Sequence, residues 1–109
     1  MPKYIFAYLG GRTPANPEEG KKHFDRYQQW LMSLGKAVVS PAVPFKDTYI
    51  VHPDGNAKPG STTTLSGLSI LRFSSMGEAL EAAKGCPFLE IGGTLEVSEM
   101  VEMSDEHNG

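Results

Sequence analysis

One residue suited to proton transfer lies in the segment "KKHFDRYQQW", residues 21–30. His23 precedes Tyr27 by four residues, and on a helix this spacing places two side chains on one face. An imidazole changes its protonation between pH 5 and 8, which makes histidine a common general base. We therefore predict His23 as a candidate catalytic base, with Tyr27 or Asp47 orienting it. The alternative is a partly exposed helix residue that is hydrogen-bonded to solvent.

A second candidate is an acid in an apolar row. In "TLEVSEMVEM", residues 94–103, the residues that share a strand face with Glu99 are Leu95, Val97, Val101 and Met103. Burial of that face would favour the neutral acid and make Glu99 an acid/base candidate. Alternatively, the buried part of the strand ends near Val97 and Glu99 lies at a rim. Asp47, just before "TYIV", is predicted to contribute to the same cleft.

The residue pattern indicates neither a metal nor a cofactor. Cys86 is the only cysteine, so it has no partner for an intramolecular disulfide, and it is predicted to be a small buried packing residue. No two histidines have metal-ligand spacing. The glycine pairs at 10–11 and 92–93 match no phosphate-binding loop and are typical of turns. We predict no metal and no cofactor.

Composition excludes several classes of partner. The chain of 109 residues is long enough for one domain with a modest core. Its net charge of -3 argues against nucleic-acid binding, which needs clustered Lys and Arg. No apolar stretch has the length of a membrane span or the features of a signal peptide. We therefore predict a cytoplasmic protein that binds neither nucleic acid nor membrane.

The elements that must position the candidate residues can be predicted from capping and periodicity. Asn16 caps a helix that begins at Pro17 and stops at Gly35, and Ser75 caps a second helix that ends at Lys84. The prolines in "AVVSPAVPF" predict an edge strand or a bulge there. The remaining strands are predicted in "KYIFAYL" (3–9), "DTYIV" (47–51), "LSGLSILRF" (65–73) and the segment that contains Glu99.

This order predicts an α+β fold of the ferredoxin-like βαββαβ type, an antiparallel sheet with two helices on one face. The first strand is apolar on both faces, so it should be central and covered on both sides. A second copy packed sheet to sheet would supply the missing cover, and we predict a homodimer. Residues 1–104 are predicted to form the single domain and residues 105–109 a disordered tail.

The second half of the chain resembles a known family. "LSGLSILRFSSMGEALEAAKGCP" followed by "GGTLEVSEMVEM" resembles the YCII-related proteins, particularly their DGPF-type branch, and "KYIFAYLGG" fits the same template. The resemblance implies a dimeric α+β barrel built from ferredoxin-like subunits. It also implies that an enzyme is one candidate, because some members are suspected enzymes with a His–Asp pair. The wider group includes a dehydrochlorinase that acts on an aromatic substrate.

The family's functional residues are only partly matched. His23 is the only histidine in the first helix, but spacing back from Gly35 puts the family position nearer Tyr27. Cys86 stands before Pro87, where the family has an aspartate. The Asp-Gly-Pro-Phe signature is absent, with "AKPGSTTT" in its region. The resemblance therefore carries over the fold but not an intact catalytic pair.

A rival resemblance rests on the opening "MPKYIFAYLGGRTPANPEEGKKH", which is similar to the start of tautomerases. In those proteins the N-terminal proline is the base, which requires removal of Met1, and the second half of this chain fits the YCII-like template better.

Three functions follow from these patterns. The first is an enzyme that performs elimination or isomerisation on a small aromatic or carboxylate ligand. The second is a non-catalytic ligand-binding or regulatory dimer, and the third is a structural dimer. The predicted site is a cleft between the sheet and the first helix, or the barrel interior, with an aromatic lining of Tyr4, Phe6, Tyr8, Tyr27, Trp30 and Tyr49.

Overall fold

The structure is a computed structural model that describes residues 1–101. It contains two helices, α1 (Pro17–Leu34) and α2 (Met76–Lys84). The strands are β1 (Lys3–Gly10), β2 (Val38–Pro44), β3 (Tyr49–Val51), β4 (Ala57–Pro59), β5 (Leu65–Arg72) and β6 (Gly93–Glu99). The predicted tail, and the end of the predicted domain from 102 to 104, lie outside the described residues.

The main sheet has four antiparallel strands in the order β2-β5-β1-β6. The helix α1 connects β1 to β2, and α2 connects β5 to β6, which is the ferredoxin-like arrangement that the sequence predicts. Strand β1 is central, as its two apolar faces indicated. Strand β2 is an edge strand whose register with β5 shifts twice, in agreement with its prolines.

Both helices cover the same face of the sheet. The even-numbered residues Tyr4, Phe6 and Tyr8 of β1 are buried on that face. They pack in one cluster with Trp30 of α1 and with a set from β5, α2 and their flanks, namely Leu71, Phe73, Ala79, Ala83 and Cys86. Aromatic rings dominate because large rings fill the space between sheet and helices.

The helix boundaries follow from their caps. The Asn16 Oδ1 atom accepts a hydrogen bond from the backbone N–H of Glu19 at 2.8 Å, so α1 begins where predicted. The Ser75 Oγ atom accepts from the backbone N–H of Glu78 at 3.2 Å and starts α2 in the same way. These contacts are local, which is why the sequence shows them.

The segment between β2 and β5 differs from expectation. The stretch "HPDGNAKPGS", residues 52–61, has the Pro, Gly, Asn and Asp content that is typical of a turn or loop, but it contains β4, which pairs with β3 in a separate two-stranded hairpin. The turn is closed by the backbone N–H of His52, which donates to the Asn56 carbonyl at 2.8 Å. The Asp54 Oδ1 atom also accepts from the Asn56 N–H at 2.9 Å. Turn chemistry therefore creates a short strand that has no apolar alternation.

The last strand is shorter than its sequence pattern. Strand β6 ends at Glu99, and Val101 is 82% exposed. Among the described residues of the apolar row, Leu95 and Val97 pack against the core. Met103 lies outside the described residues.

Candidate functional site

A cavity of about 420 Å³ lies between α1 and the sheet. Its volume is in the range of small-molecule sites, and its wall is predominantly apolar. The lining comes from β1, α1, β2, β5 and the turn after α2, and comprises Tyr8, Gly20, His23, Phe24, Tyr27, Ala42, Val43, Pro44, Ser66, Gly67 and Phe88. We call this cavity the α1 pocket.

Helix α1 supplies both predicted polar groups of the pocket. His23 and Tyr27 are half-buried, lie one helical turn apart and both line it. Phe24 lines the same wall and is 56% exposed, so the pocket opens to solvent beside it. Phe24 and Tyr27 have the spacing of an apolar helix face, which is typical of a core-facing stripe, but in the structure they face the pocket.

Three hydroxyl groups are hydrogen-bonded in a row at the pocket wall. The Tyr8 Oη atom lies 2.8 Å from the Tyr27 Oη atom and 2.7 Å from the Ser69 Oγ atom. Ser69 is fully buried on β5, directly opposite Phe6 of β1. Burial raises the pKa of Tyr8 and the pKa of Tyr27 above the usual tyrosine value. Both phenols are therefore neutral hydrogen-bond donors at physiological pH.

Phe88 closes one side of the pocket. Its ring meets Tyr8 edge to face, with the ring centroids 5.3 Å apart. A Cβ atom at Gly93 would overlap the Phe88 ring, so this position must be glycine for the ring to lie there. Phe88 belongs to a single 3₁₀ turn, Pro87–Ile91, which Arg26 of α1 contacts through Glu90 at 2.6 Å. The glycine pair that the sequence assigned to a turn therefore also makes room for the pocket wall.

Gly67 brings β2 close to β5 at the pocket floor. A Cβ atom there would lie 2.8 Å from the carbonyl oxygen of Val43 and 3.3 Å from the Pro44 Cα atom. A glycine inside a strand pattern is typical of a bulge or of a close approach by another backbone. Gly67 shows the close approach, and the pairing of β1 with β5 shifts register beside it, after Tyr8.

The four predicted site residues fall into two groups. His23 and Tyr27 meet in the α1 pocket. Glu99 ends β6 opposite Tyr4, is exposed and does not line the pocket. Asp47 is exposed in the connection between β2 and β3 and does not line it either.

Two of the six aromatic residues predicted to line the site do so. Tyr8 and Tyr27 line the pocket, whereas Tyr4, Phe6 and Trp30 are buried in the core. Tyr49 is 63% exposed on the hairpin. Ser69 and Phe88 were not identified from the sequence, because a serine in a strand and a phenylalanine after a proline carry no local signal of a site.

Cys86 is 2% exposed, in agreement with the packing role predicted for it. Burial raises the pKa of its thiol to about 11, so the neutral form prevails. Within residues 1–101, no group of three His, Cys, Asp or Glu side chains is placed to hold a metal ion. No helix in the same part of the chain has the length and apolarity needed to cross a membrane.

The fold and pocket define a ferredoxin-like α+β protein with one aromatic-walled cavity between its first helix and its sheet. A solved structure with the same architecture is 5-chloro-2-hydroxyhydroquinone dehydrochlorinase from Burkholderia phenoliruptrix AC1100, in complex with 2,5-dihydroxybenzoquinone. The similarity has a TM-score of 0.58 and covers 94% of this chain and 97% of that one, at 13% sequence identity. At this identity the likeness shows the fold alone. No sequence-family model and no curated protein matches the chain.

Proposed function

We propose that the α1 pocket binds a small ring-shaped ligand of the phenol or quinone type and performs acid/base chemistry on it. The observation that carries this proposal is the combination, in one cavity of about 420 Å³, of an apolar aromatic wall, an imidazole and a phenol hydroxyl. The solved ferredoxin-like neighbour acts on a chlorinated hydroxyhydroquinone and was captured with a dihydroxybenzoquinone, which supports this ligand class. The YCII-related resemblance of the sequence points the same way.

In this proposal His23 is the proton acceptor. Its imidazole takes a proton from a ring hydroxyl group, the O–H bonding pair forms a C=O bond, and a ring C=C pair takes up a proton at another ring carbon, which gives the keto tautomer. In an isomerisation this tautomer is the product. In an elimination, a second hydroxyl group then loses its proton and forms a second C=O bond, the adjacent C=C pair shifts toward the carbon that carries the leaving group, and the leaving group departs with its own bonding pair. Tyr27, one turn along α1, holds a ligand oxygen by donating its phenol hydrogen.

The test is solvent exchange on a bound ligand. The protein is incubated in D₂O with hydroquinones and hydroxyquinones, and deuterium incorporation at ring carbons is followed by NMR. We expect exchange in the wild type and its loss in His23→Gln, while Glu99→Gln keeps it because that acid lies outside the pocket. Release of chloride from chlorinated hydroquinones would identify the elimination. Exchange that persists at full rate in His23→Gln would overturn His23 as the base.

A non-catalytic ligand-binding protein is the second candidate, and one observation favours it. Within residues 1–101, His23 is the only pocket-lining residue, apart from the tyrosines, that carries an ionisable side chain. The carboxylate that would pair with an imidazole in a His–Asp dyad is therefore not supplied by this wall. Binding of a hydroquinone without exchange or chloride release would select this candidate.

We also infer a homodimer through the helix-free face of the sheet. That face carries the odd-numbered residues of β1 and their β5 neighbours, and Ile5 pairs with Ile70 while Ala7 pairs with Leu68. A central apolar pair of strands needs a cover that the helices on the other face do not provide. Analytical ultracentrifugation should give a dimer at micromolar concentration and a monomer for Ile70→Lys. A wild type that sediments as a monomer would contradict the inference.

A further inference from the structure

The row of hydroxyl groups formed by Ser69, Tyr8 and Tyr27 has a direction, and that direction decides what the pocket can bind. Each hydroxyl has one hydrogen to donate and two lone pairs to accept. Tyr8 contacts both of the others, at 2.7 Å and 2.8 Å. If Tyr8 accepted from both neighbours, its own hydrogen would have no acceptor among the described residues, in a side chain that is 4% exposed. Tyr8 therefore donates to one neighbour and accepts from the other, and two arrangements of the row remain.

Ser69, at the buried end of the row, determines which of the two arrangements forms. Ser69 is fully buried, and among the described residues its hydroxyl oxygen has a hydrogen-bond contact with Tyr8 alone. If Tyr8 donated to Ser69, the serine hydrogen would have no acceptor there, and an unmet buried donor costs about 1–3 kcal/mol. If Ser69 donates to Tyr8 and Tyr8 donates to Tyr27, each of those hydrogens has an acceptor.

The open end of the row then points its last hydrogen at the pocket. Tyr27 accepts from Tyr8, and among the described residues no other hydrogen-bond acceptor meets its hydroxyl group. Tyr27 lines the pocket, so its own hydrogen is left for a ligand. Hydrogen bonds in such a chain polarise one another, which makes the last donor stronger than an isolated phenol.

We infer that Ser69, Tyr8 and Tyr27 form a relay that makes the α1 pocket a binding site for an anionic oxygen, such as a phenolate or an enolate. This inference rests on the proposed binding function of the same pocket and names the charge state of its ligand. Tyr27 touches the ligand oxygen, whereas Tyr8 and Ser69 act through it as positioning residues. An enolate or phenolate is also the species that proton removal from a hydroxylated ring produces, so the relay would hold the negative charge that His23 generates.

Burial of an anion opposes this effect, because desolvation disfavours the charged form of a bound phenol. Among the described residues, the only other titratable side chain of the pocket wall is His23 on α1, since β2, β5 and the Pro87–Ile91 turn contribute no charged group to it. Cys86 belongs to the core cluster that contains Tyr8 and against which Tyr27 packs, and it is neutral, since burial raises its pKa to about 11. The contribution of the relay can therefore be isolated by removing the imidazole.

The experiment measures the ionisation of a bound probe. 4-Nitrophenol is coloured only as the phenolate, so its pKa on the protein can be read by absorbance across a pH series. The titration is made in a His23→Gln background and compared among Tyr27→Phe, Tyr8→Phe and Ser69→Ala. Phe24→Leu is the matched control, because it changes the same wall without touching a hydroxyl group. A thermal midpoint for each variant confirms that it is folded.

The expected result is a graded loss of preference for the phenolate over the neutral phenol. Tyr27→Phe removes the donor to a charged oxygen and should weaken phenolate binding about 10- to 100-fold. Tyr8→Phe keeps the Tyr27 hydroxyl group but removes the hydrogen bond that this group accepts from Tyr8. It should weaken phenolate binding about two- to fivefold, with neutral-phenol binding unchanged. Ser69→Ala should act in the same direction and more weakly. Phe24→Leu should change both affinities equally and leave the probe's pKa where it was.

Two outcomes overturn the relay, and they differ in what they say about the pocket. If 4-nitrophenol binds but Tyr8→Phe and Ser69→Ala lower both affinities equally, the relay is refuted while the binding function stands. If neither form of the probe binds the wild-type protein, the relay and the proposed ligand class fail together.

Discussion

Glu99 lies directly opposite Tyr4 in the antiparallel pairing of β1 with β6, four residues along β1 from Tyr8. Four residues of strand span about 13 Å, so the acid and the Tyr8 hydroxyl group belong to opposite ends of the sheet. The exposed position of Glu99 also answers the question that its apolar row raised: the row stops being buried at Val97. Glu99 is therefore outside the α1 pocket.

This separation predicts different outcomes for two charge-removing substitutions. Glu99→Gln should leave ligand binding unchanged and alter the free energy of unfolding by less than about 0.5 kcal/mol, because the side chain is exposed. His23→Gln should reduce the thermal shift produced by a hydroquinone. In the wild type that shift reflects about 2.7 kcal/mol of stabilisation at a hundredfold excess of ligand over its dissociation constant. A ligand shift that Glu99→Gln removes would place the site elsewhere.

A pair of glycine substitutions tests the close approach of β2 to β5. Gly67→Ala places a Cβ atom 2.8 Å from the Val43 carbonyl oxygen, so we expect a loss of about 1–3 kcal/mol in urea unfolding. Gly77→Ala in α2 is the matched control, since its nearest neighbour would be the Ser75 Oγ atom at 3.7 Å. The control should be unchanged or up to about 1 kcal/mol more stable because alanine favours a helix. Equal stabilities for the two variants would refute the close approach.

The hydrogen bond between the two helices predicts the effect of replacing the tryptophan. The Trp30 indole N–H donates to the Ala82 carbonyl oxygen at 3.0 Å, which joins α1 to α2 above the sheet. Trp30→Phe should lower the free energy of unfolding by about 1–3 kcal/mol, through loss of this bond and of buried ring area. Gln29→Ala, an exposed neighbour on α1, is the control and should stay within about 0.5 kcal/mol. An unchanged Trp30→Phe would show that the contact contributes no stability.

The buried thiol predicts a pH dependence at the alkaline side. Burial raises the pKa of Cys86 from 9.0 to about 11, so between these values the folded chain holds a proton that the unfolded chain releases. Stability should therefore fall as pH rises through this window, by at most about 1.4 kcal/mol per pH unit; the fall begins as the unfolded thiol starts to ionise just below pH 9, and well below that pH the thiol causes no pH dependence. The buried tyrosines add a loss of the same sign, but only near and above their usual pKa of 10.0.

Cys86→Ala isolates the thiol. Loss of the sulfur atom should change the free energy of unfolding by the same amount at every pH. The stability of the variant should be flat between about pH 8.5 and 9.5, where the stability of the wild type already declines. Urea unfolding at closely spaced pH values measures the difference. Parallel curves for the two proteins would contradict the burial of a protonated thiol. As an independent check, a thiol reagent at pH 8 should react much more slowly with the native protein than with the urea-unfolded one.

Much of the fold could be predicted because its signals are local. Asn16 and Ser75 each meet a backbone N–H three residues away, so the start of a helix is contained in four consecutive residues. The central place of β1 follows from its two apolar faces, and the edge place of β2 from its prolines. The small strand β4 was missed because turn hydrogen bonds, rather than an apolar alternation, determine it.

Of the four residues predicted to do chemistry, the two that meet in the pocket share one helix. His23 and Tyr27 are four residues apart, and helical periodicity alone brings them to one face. Glu99 and Asp47 also carry chemistry, but whether they face a pocket depends on where a strand ends and where a connection runs. Neither of these properties is encoded in the spacing of side chains.

The sequence by itself determined the order of elements, the ferredoxin-like fold and the helix face that carries an imidazole and a phenol. Only the tertiary structure decided that this face opens onto a pocket, and that Ser69, 61 residues from Tyr8, supplies the buried end of its row of hydroxyl groups. The physical reason is that hydrogen bonds between side chains on different strands and helices depend on sheet register and packing distances. Those are properties of the whole chain folded together.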